Sequence, residues 1–214
     1  MQDSVLKSRN ESNTAIGGML SKHMGQRFKY DVLGKVTLLG HQAGAFKVSG
    51  NVSYQFPFKK DSIRISAHGF IENTKPDFFL EYYQSNHFQW DRNFDNEFKT
   101  HVSGKLTIPS WRISVGAGVE NLTNYIYFNE QAVPDQHGSN IQVLAINARK
   151  DFVLGPVHLE NTAVYQKSSS QVLPLPDLTL YHNLYFQHLL FKVLTIQIGA
   201  DVRIHTNYKA PIYM

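Results

Sequence analysis

Between Leu194 and His205 apolar and polar residues alternate without an error. Leu194, Ile196, Ile198, Ala200, Val202 and Ile204 fall on one face, and Thr195, Gln197, Gly199, Asp201, Arg203 and His205 on the other. A period of two is the signature of an extended strand whose two faces meet different media. The same pattern recurs. In 46–56, Phe46, Val48, Val52, Tyr54 and Phe56 oppose Lys47, Ser49, Asn51, Ser53 and Gln55. In 62–71, Ile63, Ile65, Ala67 and Ile71 oppose Ser62, Arg64, Ser66 and His68; in 101–108, Val102, Leu106 and Ile108 oppose His101, Ser103, Lys105 and Thr107. In 111–120, Trp111, Ile113, Val115, Ala117 and Val119 oppose Arg112, Ser114, Gly116, Gly118 and Glu120. Less regular strands near 14–24, 30–40, 140–152, 157–166 and 179–190 bring the total to about ten, although in 140–152 and 179–190 the pattern does not assign the faces. The fold class is all-β.

The connections separate two architectures that alternation alone does not. Counted along the chain they run short then long: 57–60, 109–110, 154–156 and 191–192 are short, whereas 72–98, 121–139, 167–178 and the tail from Asn207 are long. Only the gap at 40–44 is short where a long one is due. Short turns at one end and long loops at the other are the habit of antiparallel up-and-down transmembrane β-barrels. A ten-residue strand covers about 33 Å, or about 24 Å of height when tilted by about 45°, which matches their apolar band. Tyr30, Tyr54, Phe56, Phe58, Trp111, Phe152, Tyr165, Tyr181 and Phe191 stand at strand ends, where amphipathic rings suit membrane interfaces. A soluble β-sandwich alternates too, but its wet face usually carries more Lys and Glu than these Ser-, Thr-, Asn- and Gly-rich faces, and its strands are shorter. Only 18% of the residues are charged, below the quarter or so usual for soluble domains. The expectation is one domain over 1–214, with 1–13 as loop or poorly ordered chain.

Composition closes other routes. There is no Cys, so neither a disulfide framework nor a thiolate metal site is available. Met1–Asn10 has no apolar core of a signal peptide, and no run reaches the 18 or so apolar residues of a spanning helix. The ten His form no H-x-H, HExxH or i,i+4 pair, so no metal and no cofactor is expected. A net charge of +4 with no basic run argues against nucleic acid as a partner. No G-x-S-x-G elbow is present; His and Ser do share strand faces, yet the sequence names no nucleophile, and no enzyme is expected.

Distinctive loop motifs carry a family likeness. They are Asn73-Thr74-Lys75-Pro76-Asp77-Phe78-Phe79-Leu80, Ser85-Asn86-His87-Phe88, Val119-Glu120-Asn121, Asn124-Tyr125-Ile126-Tyr127-Phe128-Asn129-Glu130-Gln131-Ala132, Tyr165-Gln166-Lys167-Ser168-Ser169, Leu173-Pro174-Leu175-Pro176-Asp177-Leu178, Gly199-Ala200-Asp201-Val202-Arg203 and Tyr208-Lys209-Ala210-Pro211-Ile212-Tyr213-Met214. From about Thr14 to the end the chain resembles the "putative porin" family of Bacteroidetes outer membranes. The resemblance implies an outer-membrane β-barrel with a porin role, its partners being outer-membrane lipid and small polar solutes. Members of that family are longer and begin with an export signal, so this chain is expected to be a segment of a larger barrel.

On that reading the polar faces turn to a lumen, and Lys47, Arg64, Lys105, Arg112, Glu120, Glu160, Asp201 and Arg203 are the candidate lining residues. Loop 72–98, with Phe78, Phe79, Tyr82, Tyr83 and Trp90, is too aromatic for a floppy 27-residue connection. It could constrict the lumen, stack against sugar, or pack over the barrel mouth; packing is the simplest of the three. Loop 121–139, with Tyr125, Tyr127 and Phe128, reads the same way. The rival function is a soluble or surface β-sandwich that binds glycans through these loops.

Overall fold

The computed structural model describes residues 11–25, 27–58 and 61–210. In chain order the elements are β1 (Asn13–Lys22), β2 (Phe28–Gly40), β3 (Phe46–Phe58), β4 (Asp61–Thr74), α1 (Phe78–Glu81), β5 (Tyr82–Gln84), β6 (Gln89–Asp91), β7 (Glu97–Ile108), β8 (Ile113–Thr123), β9 (Tyr125–Phe128), β10 (Pro134–His137), β11 (Ile141–Leu154), β12 (Val157–Ser168), β13 (Leu178–Leu190) and β14 (Leu194–His205). The expectation for 1–10 and the motif beyond Ala210 lie outside the described residues.

Ten of the strands form one antiparallel sheet in the order β1-β2-β3-β4-β7-β8-β11-β12-β13-β14. Each long strand therefore pairs with the next long strand, an up-and-down meander. Strands β5–β6 and β9–β10 are two separate two-stranded ribbons inside the long connections. The register keeps like with like. One row runs Tyr30–Val52–Ala67–Gly104–Ala117–Ile146–Tyr165–Leu178 across eight strands. The adjacent row on the other face runs Asp31–Asn51–His68–Ser103–Gly118–Ala145–Gln166. A slip of one residue anywhere would exchange the faces. The register also assigns the faces that alternation leaves open: Leu144, Ile146 and Phe152 of β11 lie with the apolar set, and Asn147, Arg149 and Asp151 with the polar set.

The structure departs from expectation at one turn, and the expected barrel segment is an open sheet. The ten strands do not close: among the described residues β1 pairs with β2 alone and β14 with β13 alone, so the sheet is open with two free edges. And Trp111 and Arg112 are not strand residues. Pro109 cannot donate to the ladder, the Arg112 N–H closes a turn onto the Pro109 carbonyl at 2.9 Å, and Arg112 takes φ 51°.

The apolar face of the sheet is uncovered along its length. Leu20 is 64% exposed, Val102 69% and Ile198 70%, whereas a sandwich would bury that face under a second sheet. The tightly buried apolar side chains among the described residues are Ala45, Pro76, Trp90, Leu122, Pro134 and Ile141, all at the end carrying the long connections. No described helix is long and apolar enough to cross a membrane.

Candidate pore-lining face

Register decides where each ionised side chain stands. Lys29, Lys35, Lys47, Arg64, Lys99, Lys105, Arg149 and Arg203 lie on the polar face, together with Asp31, Glu72, Glu97, Glu120, Asp151, Glu160 and Asp201. The opposite face carries Lys22, Asp61, Lys150 and Lys167. Lys22, Asp61 and Lys167 stand within a residue of a strand end. Lys150 reaches back to the Trp111 carbonyl and lays its ammonium 5.2 Å over the Phe152 ring, so its charge also ends at the short-turn edge. An eight-to-seven mixture on one face, against four marginal charges on the other, is a sheet with one charged face and one apolar face.

The expected lining residues fall on this map as follows. Lys47 pairs with Glu72 at 3.0 Å and lies 5.3 Å over the Phe70 ring. Arg64 donates to Gln55 Oε1 at 3.1 Å. Glu120 meets His101 Nδ1 at 3.2 Å. Glu160 accepts from Tyr185 at 3.3 Å and faces Arg149 at 3.5 Å, and Arg203 covers the Tyr181 ring at 5.3 Å. Lys105 and Asp201 share the face. Arg112 belongs to the turn between β7 and β8.

Alternation missed Lys29, Asp31, Lys35, Glu72, Glu97, Lys99, Arg149 and Asp151. In β2 the polar side is interrupted by Leu33, and in β11 by Ile141, Val143 and Ala145. Only the cross-strand neighbours assign these strands, and pairing register is not written in any single strand.

Four strands, β2, β3, β4 and β7, form the floor of a cavity of about 330 Å³ on the polar face, with Lys29, Asp31, Asn51, His68, Ser103 and Lys105 among its walls. Asp31 accepts from Asn51 Nδ2 at 2.7 Å inside it. Beside it stands a chain of three side chains. His101 meets Glu120 through Nδ1 at 3.2 Å and Ser103 Oγ through Nε2 at 3.0 Å, with the Phe70 ring stacked on the imidazole at 5.3 Å.

The long connections fold over one end of the same face. The Ile126 N–H donates to Glu97 Oε1 at 3.2 Å, and Glu97 is a polar-face residue. Leu122 and Ile141 also point to that side, yet are 7% and 0% exposed, so the ribbons cover them there. Gln136 ties the two connections together: its Oε1 accepts from Asp95 N at 2.9 Å, and its amide donates to Asp95 O at 2.8 Å and Asn124 O at 3.0 Å. The expected loop aromatics converge. Trp90 donates to Phe79 O at 3.0 Å, stacks on Tyr83 at 4.8 Å and meets Phe128 edge-on at 6.2 Å, while Phe78 lies 5.7 Å from Tyr82. The Phe79 side chain is left 68% exposed.

In sequence, residues 2–214 match the model of the family Porin_10, described as "Putative porin". No curated protein matches the chain.

Proposed function

This chain belongs to that porin family, and on this premise we propose that it builds part of the wall of a water-filled passage across a bacterial outer membrane. Small polar solutes diffuse along its polar face, past the ribbon-covered end. The observation that carries the reading is the segregation of charge between the two faces, with large aliphatic residues left uncovered on the dry side. Lipid is the medium that rewards such a face, because uncovered Ile, Leu and Val over ten strands would otherwise drive association in water.

Hydrocarbon also leaves no strand edge unpaired. The reading therefore requires the edges of β1 and β14 to be joined in the bilayer, to each other or to further strands. The wall then fits the lumen of a barrel, with width and lining charge setting selectivity.

The chain has no native Cys, so single Cys residues at positions 194 through 203 can each carry one fluorophore into vesicles of brominated lipid. Strong quenching at even positions and weak quenching at odd ones is expected. Absence of quenching at all ten positions would show that protein covers the apolar face, and glycan binding by the aromatic loops would become the leading function.

A further inference from the structure

We propose that Ser103, His101 and Glu120 form a serine-hydrolase site on the polar face, acting on short-chain carboxylic esters of polar alcohols. Three observations carry it together. The first is connectivity. An ionised carboxylate only accepts hydrogen bonds, so the 3.2 Å contact with Glu120 makes His101 Nδ1 the protonated nitrogen. The neutral ring then has Nε2 as a free acceptor, and Nε2 lies 3.0 Å from Ser103 Oγ. Nucleophile, base and orienting carboxylate thus stand in the order that activates a hydroxyl.

The second is placement. His101 and Ser103 lie two apart on one strand, so both side chains leave the same face of β7, and Glu120 is directly opposite His101 on β8. Phe70 stacked on the imidazole limits its rotation out of line. The third is access. Ser103 is half-buried and opens on the 330 Å³ cavity, whose rim includes Lys105 and His68. That volume is at the small end of ligand pockets, which sets the short acyl chain. Asn51, Ser53 and Ser66 on its walls suit a hydroxylated leaving group.

In the reaction Ser103 Oγ attacks the ester carbonyl carbon while its proton passes to His101 Nε2. Negative charge develops on the carbonyl oxygen, and Lys105, which lines the same cavity, is the cation offered to offset it. The bond to the alcohol oxygen breaks, and that oxygen takes the proton from Nε2. Water then attacks the acyl-Ser103 ester, gives its proton to Nε2, and the carboxylic acid leaves as Oγ regains a proton. The sum is ester plus water to acid plus alcohol. Ser103 and His101 are the catalytic residues, and Glu120 is a positioning residue.

The test is covalent labelling of the detergent-folded chain by a fluorophosphonate, in which Oγ displaces fluoride, followed by peptide mass mapping. The adduct is expected on Ser103, absent in Ser103→Ala and formed about a hundredfold or more slowly in His101→Gln, the usual contribution of a general base. Hydrolysis of p-nitrophenyl acetate should fall in parallel. In Glu120→Gln the labelling rate should fall, and Glu120→Asp, which keeps the carboxylate, should restore part of it. No adduct on the wild-type chain, or an adduct that persists in Ser103→Ala, overturns the site. A labelling rate in Glu120→Gln equal to that of the wild type, or one that Glu120→Asp does not raise, overturns the part given to Glu120. None of these readouts depends on conduction, so the site and the passage fail separately.

Discussion

At the residue scale, the polar face is built to a tolerance that Gly199 sets. A β-carbon there would stand 2.5 Å from the Leu184 carbonyl oxygen and 2.5 Å from Tyr185 Cβ. Tyr185 is its partner in the ladder, and the Tyr185 ring stacks on His158 at 4.7 Å and 4°. Any side chain at 199 must push Tyr185 off that stack or bend β14 away from β13. Overpacking of this kind costs about 1–3 kcal/mol. Gly199→Val should lower the thermal midpoint followed by far-ultraviolet circular dichroism in detergent. Gly18→Val, where a β-carbon meets nothing within 4 Å, should leave it nearly unchanged. Equal losses in both variants would mean that strand glycines matter here through chain flexibility and not through the space beside Tyr185.

At the element scale, the ribbon β9–β10 and the connection carrying Trp90 act as one cap, held by Gln136 and by the Glu97 carboxylate. Its weak point is alkaline. Burial, then the nearby Glu97 carboxylate, raises the Tyr125 hydroxyl above its ordinary value, and burial with Asp135 does the same for Tyr127. Both rings are therefore favoured as neutral phenols in the folded cap. That preference is fully present below the ordinary tyrosine pKa of about 10 and is lost as pH rises through the higher folded values. Trp90 fluorescence, read in a Trp111→Phe background, should change above pH about 10 while strand circular dichroism holds. In Tyr125→Phe with Tyr127→Phe the change should vanish; if it stays, ionisation of these phenols does not loosen the cap. The cap also explains what the sequence conceals. The alternations of β3, β4 and β14 are legible because each of those faces meets a single medium. In β11 the polar side begins with Ile141, Val143 and Ala145, and Ile141 is wholly buried, so the cap over that end has overwritten the local pattern. The aromatic character of residues 78–90 marks an ordered connection, but the side of the sheet on which it docks depends on Glu97 and Gln136, for which no periodicity exists. Ser103 and His101 are visible as neighbours on one face of β7; their link to Glu120 needs the β7–β8 register.

At the scale of the whole molecule, the eight cationic and seven anionic residues on one face make a wall of nearly balanced charge, and pairing reduces its field further. Lys47 with Glu72, and Arg149 with Asp151, cancel locally, leaving groups such as Lys29 and Arg64 to act on a passing ion. A wild-type channel should accordingly show a reversal potential near zero in a potassium chloride gradient. Lys29→Glu combined with Arg64→Glu turns eight and seven into six and nine. The reversal potential should then move toward the cation limit of about 59 mV for a tenfold gradient without reaching it. The shift should shrink as salt rises, since screening shortens from about 10 Å at 0.1 M to about 3 Å at 1 M. Lys150→Glu is the counterpart on the dry face, beside Trp111 and Phe152. It removes a cation of the same formal charge, so it separates net charge from position: if lining is what matters, it leaves the reversal potential where it was. A shift with Lys150→Glu equal to that of either polar-face change would mean that ions do not follow the face on which the charges are gathered.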